Sequence, residues 1–177
     1  MEELKEKLLG YFFEEPEREF YVRELAKLLK KSPTTISKYL DLLKKEGLLV
    51  SSKKFNHLLF KADVNRKFKD LKLNHNLNLI RESGLIEYIT ELFNNPEAIV
   101  LFGSFAKAEN GSRSDIDFLI VSSARKKLNL KSFEKKLGHE VQVFIYSESE
   151  LASLKNKELL NNFINGIVLE GYMEVIK

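Results

Sequence analysis

The feature that most constrains this chain is a pair of apolar runs joined by one short polar stretch, Leu101-Phe102-Gly103-Ser104-Phe105 followed by Ser114-Asp115-Ile116-Asp117-Phe118. Ile99 to Phe102 reads as a buried strand, Gly103-Ser104 as a tight turn that opens a short helix, and Asp117 to Val121 as a second buried strand entered at Asp115. Alternate residues of a strand share a face, which sets Asp115 and Asp117 side by side with Cα atoms about 6–7 Å apart. Two carboxylates held this way repel each other unless a cation lies between them. Hard oxygen donors suit Mg²⁺, which takes one or two carboxylates together with substrate phosphates. The turn supplies the other half: glycine lets backbone approach a ligand, and free N–H groups where a helix begins favour phosphate. A phosphate cradle beside a metal pair points to nucleotide chemistry, with Gly103 and Ser104 as phosphate contacts and Asp115 and Asp117 as metal ligands.

Gly103-Ser104, ten intervening residues, then Asp115-x-Asp117 resembles the nucleotidyltransferase superfamily that includes DNA polymerase β. Within it, the pattern is most similar to the minimal nucleotidyltransferases, among them the MNT antitoxins that partner HEPN-type toxins. The resemblance spans about residues 84 to 171. It implies a mixed sheet, Mg²⁺ on the two aspartates, and an NTP, expected to be ATP, whose triphosphate meets Gly103 and Ser104. Lys107 stands where many members carry arginine, which keeps a cation but loses the bidentate fork.

Superfamily members usually place a third acidic residue on the next strand, where it helps deprotonate the attacking hydroxyl. Here that strand reads His139-Glu140-Val141-Gln142-Val143-Phe144-Ile145-Tyr146. The valine-aspartate-hydrophobic pattern aligns best with Val141-Gln142-Val143, which puts glutamine in the acidic place. Glu140, two residues earlier on the same face, is the candidate catalytic carboxylate if the strand reaches the metal there. Without a base, the site binds nucleotide and turns over slowly or not at all.

Charge divides the chain. Residues 20–62 hold ten Lys and Arg against three Asp and Glu, a balance of +7, whereas residues 75–177 hold twelve against fourteen. Such asymmetry marks the first part for a polyanion partner. Its local pattern agrees. Leu4, Leu8, Leu9 and Phe12 lie at helical spacing; Glu14-Glu15-Pro16-Glu17 breaks that helix; Phe20-Tyr21-Val22 is briefly extended; and Val22, Leu25, Ala26 and Leu29 stripe a second helix. Ser32-Pro33 starts a third, since serine caps free N–H groups and proline fits the first helical position. Ile36, Leu40 and Leu43 give its buried face, and Gly47 ends it. Leu48-Leu49-Val50 and Leu58-Leu59-Phe60 then read as two strands around a polar tip, Ser51 to Asn56. Helix, helix, turn, helix, hairpin resembles a winged helix-turn-helix over residues 2 to 62. On its third helix, Thr34, Thr35, Ser37 and Lys38 lie away from the apolar stripe, where a recognition helix meets base edges, and Lys53 and Lys54 on the wing reach phosphates.

The expected architecture is α/β (α+β): a winged helix-turn-helix DNA-binding domain over 1–63, a helical linker over 64–83 with a bend at Asn74-His75-Asn76, and a polymerase β-like nucleotidyltransferase domain over 84–177. Further helices are expected from Gly84, near Leu130 to Leu137 and around Leu159 to Ile164, with Ile167-Val168-Leu169 as a short strand or packing segment. The chain has no cysteine, which excludes disulfides and thiolate chemistry. No apolar stretch approaches the ~20 residues needed to span a membrane, and the charged N-terminus is unlike a signal peptide, so a cytoplasmic protein is expected. Three functions fit: transfer of a nucleoside monophosphate from an NTP to an acceptor, a DNA-bound regulator whose degenerate site only senses nucleotide, and an antitoxin-like protein that masks a toxin partner. Duplex DNA, an NTP, a HEPN-type toxin or other protein acceptor, and a second copy in a homodimer are the expected partners.

Overall fold

The computed structural model describes residues 2–174, so Met1 and residues 175–177 of the expected domain ranges lie outside the described residues. The chain divides into two compact units between Lys72 and Leu73.

The first unit is built as its apolar stripes require. Its elements are α1 (Glu2–Glu14), β1 (Phe20–Tyr21), α2 (Val22–Leu28), α3 (Pro33–Lys45), β2 (Leu49–Lys54), β3 (His57–Ala62) and the opening turns of α4 (Arg66–Ser83). Leu8, Phe12, Phe20, Leu25, Ile36, Leu40, Leu43 and Phe60 are fully buried in one core, each stabilising the unit by about 1.5–3 kcal/mol relative to exposure. Both ends of α3 are closed locally. The Ser32 hydroxyl accepts from the Thr35 N–H at 3.1 Å with Pro33 next in line. At the other end Gly47 sits at φ +74°, its N–H donating to the Lys44 carbonyl and that of Leu48 to Leu43, so the last carbonyls are satisfied.

The strands form a sheet of order β1-β3-β2. The hairpin is longer than its sequence pattern indicates: Lys54 pairs with His57, leaving only Phe55-Asn56 as the connection rather than Ser51 to Asn56. Both residues have positive φ, +46° and +61°, the pattern of a type I′ turn, whose twist matches that of the flanking strands. On α4, Lys72 is buried, and its Nζ donates to the Phe13 carbonyl at 2.6 Å, closing the end of α1. Burial pushes its pKa down to about 8, with Glu14 opposing the shift.

The second unit holds α5 (Leu85–Phe93), β4 (Ala98–Phe102), α6 (Gly103–Ala106), β5 (Ile116–Val121), α7 (Lys131–Leu137), β6 (Val141–Tyr146), α8 (Glu148–Ala152), α9 (Lys157–Ile164) and β7 (Ile167–Gly171). Its mixed sheet has the order β6-β5-β4-β7. β5 and β6 are parallel, joined by the crossover that carries α7, while β4 is antiparallel to both of its neighbours. One face, with Ile99, Leu101, Phe118 and Ile120, packs on Ile80, Leu85, Ile89 and Phe93. The other, with Val100, Phe102, Leu119 and Val121, packs on Leu151 and Phe163. Burial from both sides explains why β4 is apolar throughout.

Two segments depart from the sequence expectation. The bend at Asn74-His75-Asn76 is absent, because α4 passes through these residues without a break. Asn76 is tolerated there although it is buried: its amide donates to the Phe105 carbonyl at 3.0 Å and to Asn110 Oδ1 at 2.8 Å. Helix α8 has no counterpart in the sequence expectation. Its start is a capping box in which Ser147 and Glu150 satisfy each other's backbone N–H groups. These bonds and Arg125 hold the Glu150 carboxyl down at about 2.

Candidate active site

The two halves of the expected site meet at Gly103 and Asp117. β4 ends at Phe102, which pairs with Asp117 of β5, and Gly103 turns the chain there at φ +71°. A Cβ at Gly103 would overlap a carboxylate oxygen of Asp117 and come within 3.2 Å of its Cγ. Glycine suits the position on both counts: another side chain would displace this carboxylate and strain the left-handed backbone. The turn leads directly into α6, where Ser104 follows Gly103 and is half-buried, and Lys107 lies exposed where α6 ends.

Asp117 is half-buried on β5, and Asp115, exposed, immediately precedes that strand. The Asp117 carboxyl is pushed above the usual carboxylate range, first by burial and then by the negative charge of Asp115. Both causes penalise a bare anion, and both are relieved by a cation. The donor set, carboxylate oxygens with no thiol or imidazole among them, fits Mg²⁺ or a similar hard ion that completes its shell with water and phosphate.

Across the parallel ladder, Asp117 pairs with Gln142. Partners in a ladder point to the same face with strands about 4.8 Å apart, so the residue abreast of Asp117 is an amide. Glu140 is exposed and lies just before β6, which begins at Val141 and not at His139; its carbonyl accepts the Ile116 N–H at 2.9 Å. Among the described residues, no cluster of three or more Asp, Glu or His side chains is poised to hold a metal. Phe144 and Tyr146, further along the same face, pack against Phe163 with ring centroids 5.9 and 5.8 Å away, and serve the core.

Sequence reading missed the groups that pin the loop between α6 and β5. His139, 7% exposed, makes a 2.8 Å bond from Nδ1 to the carbonyl of Ser114, the residue before Asp115. A carbonyl only accepts, so Nδ1 carries the proton. The imidazole also meets Phe105 of α6 edge-on, at 4.9 Å between centroids. Asn76 and Asn110 are each 1% exposed; the Asn76 amide donates to Asn110 Oδ1 and to the Phe105 carbonyl, and Ser114 Oγ accepts from the Gly111 N–H at 2.9 Å. The Gly103-Ser104 turn and the loop to Asp115 are thus tied by buried and partly buried hydrogen bonds, a costly arrangement unless every group is satisfied. A lone histidine after a glycine gave no sequence signal for this role.

In the first unit, Thr34 and Lys38 are exposed on α3 and Ser37 is half-buried, while Thr35 turns its hydroxyl to Ser32 at 2.8 Å and is engaged in the cap. Lys53 is exposed on the wing. Lys54 is held by Glu19 at 2.5 Å, and Lys44 donates to Ser51 at 2.6 Å.

The fold and the site define the class: a winged helix-turn-helix unit followed by a nucleotidyltransferase-type unit on a mixed sheet. Comparison with protein families gives the same division. Residues 9–51 match the model of the bacterial regulatory protein arsR family, and residues 82–165 match the nucleotidyltransferase domain. The chain therefore joins an arsR-type helix-turn-helix domain to a nucleotidyltransferase domain. No curated protein and no solved structure matches it significantly. Among the described residues, no helix is long and apolar enough to cross a membrane.

Proposed function

We propose that the second unit transfers a nucleoside monophosphate from an NTP, ATP by preference, to an acceptor, and that the first unit holds duplex DNA. The observation that carries this reading is the packing of Gly103 on the Asp117 carboxylate, which makes the phosphate turn and the metal pair one site. Gly103 and Ser104 receive the triphosphate, Lys107 offers a cation toward it, and Asp115 and Asp117 hold Mg²⁺. The bound metal supplies charge neutralisation at the phosphates; positioning by the chain supplies the rest. A protein acceptor, such as a HEPN-type toxin, fits an antitoxin role in which the same chain binds its own promoter, alone or as a homodimer.

Incubation with labelled ATP, GTP, CTP and UTP, Mg²⁺ and a cell extract tests the proposal. Label should pass to an acceptor from at least one NTP, and Asp117→Asn should abolish transfer while leaving the far-ultraviolet spectrum unchanged. Wild-type rates in a folded Asp117→Asn variant would overturn the site. A second reading, a nucleotide sensor that does not turn over, is favoured by Gln142 lying abreast of Asp117; saturable NTP binding with no transfer to any acceptor would select it.

A further inference from the structure

The tip of the wing carries an unusual residue. Phe55 is 96% exposed, and it occupies the first position of a two-residue turn at φ +46°. Glycine, asparagine or aspartate normally fills such a position, and a bulky side chain there is strained. A large apolar ring fully in water on a strained backbone is unfavourable on both counts within the free protein. Lys53 and Lys54 precede it on β2, and His57 and Leu58, both exposed, follow on β3. Lys53 pairs with Leu58 and Lys54 with His57, so both lysines stand on the strand that leads into the turn.

We infer that Phe55 is a wedge that inserts between base pairs of duplex DNA while Lys53 beside it holds an adjacent phosphate. Apolar side chains entering from the minor groove partly unstack a base step and bend the duplex, at a cost offset by the added contact. The two lysines that lead into the turn, Lys53 exposed and Lys54 shared with Glu19, favour a polyanion over an apolar protein groove, and the turn places the ring beyond the last backbone pair, as entry into a groove requires. The contact adds affinity and favours flexible pyrimidine–purine steps, without hydrogen bonds to base edges. This inference rests on the reading of the first unit as a DNA binder.

The test uses the full chain and a fluorescein-labelled duplex of about 30 base pairs with central T-A steps, together with the same duplex carrying 2-aminopurine at one step. Wild-type binding should raise the 2-aminopurine emission. Phe55→Asn suits the turn, so its thermal midpoint should equal or exceed that of the wild type, while affinity falls about tenfold and the emission rise disappears. Phe55→Leu should keep part of both. If Phe55→Asn binds and unstacks the duplex as the wild type does, or alters self-association with DNA binding intact, the wedge is overturned. Binding by the wild type without any emission rise overturns the wedge alone, whereas absence of wild-type binding at low salt overturns the DNA reading with it.

Discussion

At the scale of single residues, the question with most bearing on catalysis is what Gln142 does abreast of Asp117. An amide cannot take a proton from an attacking hydroxyl, and Glu140, the nearest carboxyl on that strand's path, lies exposed before β6 begins. General-base assistance typically contributes 10²–10⁴-fold, so Gln142→Asp should raise transfer to a hydroxyl acceptor by about a hundredfold, measured as initial rate at saturating Mg²⁺ and NTP. Glu140→Gln should leave the rate nearly unchanged. Inactivation by Glu140→Gln would instead assign the proton to Glu140, and silence of both changes would mean that proton removal does not depend on this strand.

At the scale of elements, the site depends on how α6, the loop to β5 and the start of β6 are fastened together. His139 does this from the residue before Glu140, through the Ser114 carbonyl and the Phe105 ring. His139→Leu removes the bond and takes its partner from that partly buried carbonyl, so Asp115 loses its fixed position. Asparagine places an amide N–H near the Nδ1 position. Mn²⁺ titration in the presence of NTP should therefore show about tenfold weaker binding in His139→Leu, consistent with losing one satisfied buried hydrogen bond, and recovery in His139→Asn. Equal loss in both variants would indicate a packing role only. The same elements show how far the sequence could be read. Gly103, Asp117 and the Ser32-Pro33 start of α3 were legible because the residue type states the local requirement: a left-handed turn, a charge on a buried strand, a capped helix. Glu150 could have been found, since Ser147-x-x-Glu150 is a capping signal, but α8 is short and its apolar face slight. Asn76 was read as a break because its fitness for a helix rests on Phe105 and Asn110, which fold back onto it from about thirty residues away. His139 was hidden for the same reason, and the hairpin's true length because Phe55 carries none of the marks of a left-handed turn.

At the scale of the whole molecule, a chain with a net charge of +3 concentrates its positive charge in residues 20–62, and not all of those cations are equally available. Glu19 takes Lys54, and Glu17 takes Lys61, each at 2.5 Å, whereas Lys53 and Lys38 face solvent. Phosphate contacts release counterions, so duplex affinity should fall with salt by about 0.9 in log–log slope for each phosphate neutralised. Lys53→Glu should weaken binding across sequences and flatten that slope by about one contact. Lys54→Glu should do less from the wild-type state, because its charge is already engaged. Glu19→Gln frees Lys54 and should strengthen binding a few-fold at low salt, a modest gain because exposed ion pairs contribute little. Anisotropy titrations at several salt concentrations separate these outcomes. An order in which Lys54→Glu costs more than Lys53→Glu would show that Glu19 releases Lys54 on DNA, and an unchanged Glu19→Gln slope would show that Lys54 reaches no phosphate even when freed.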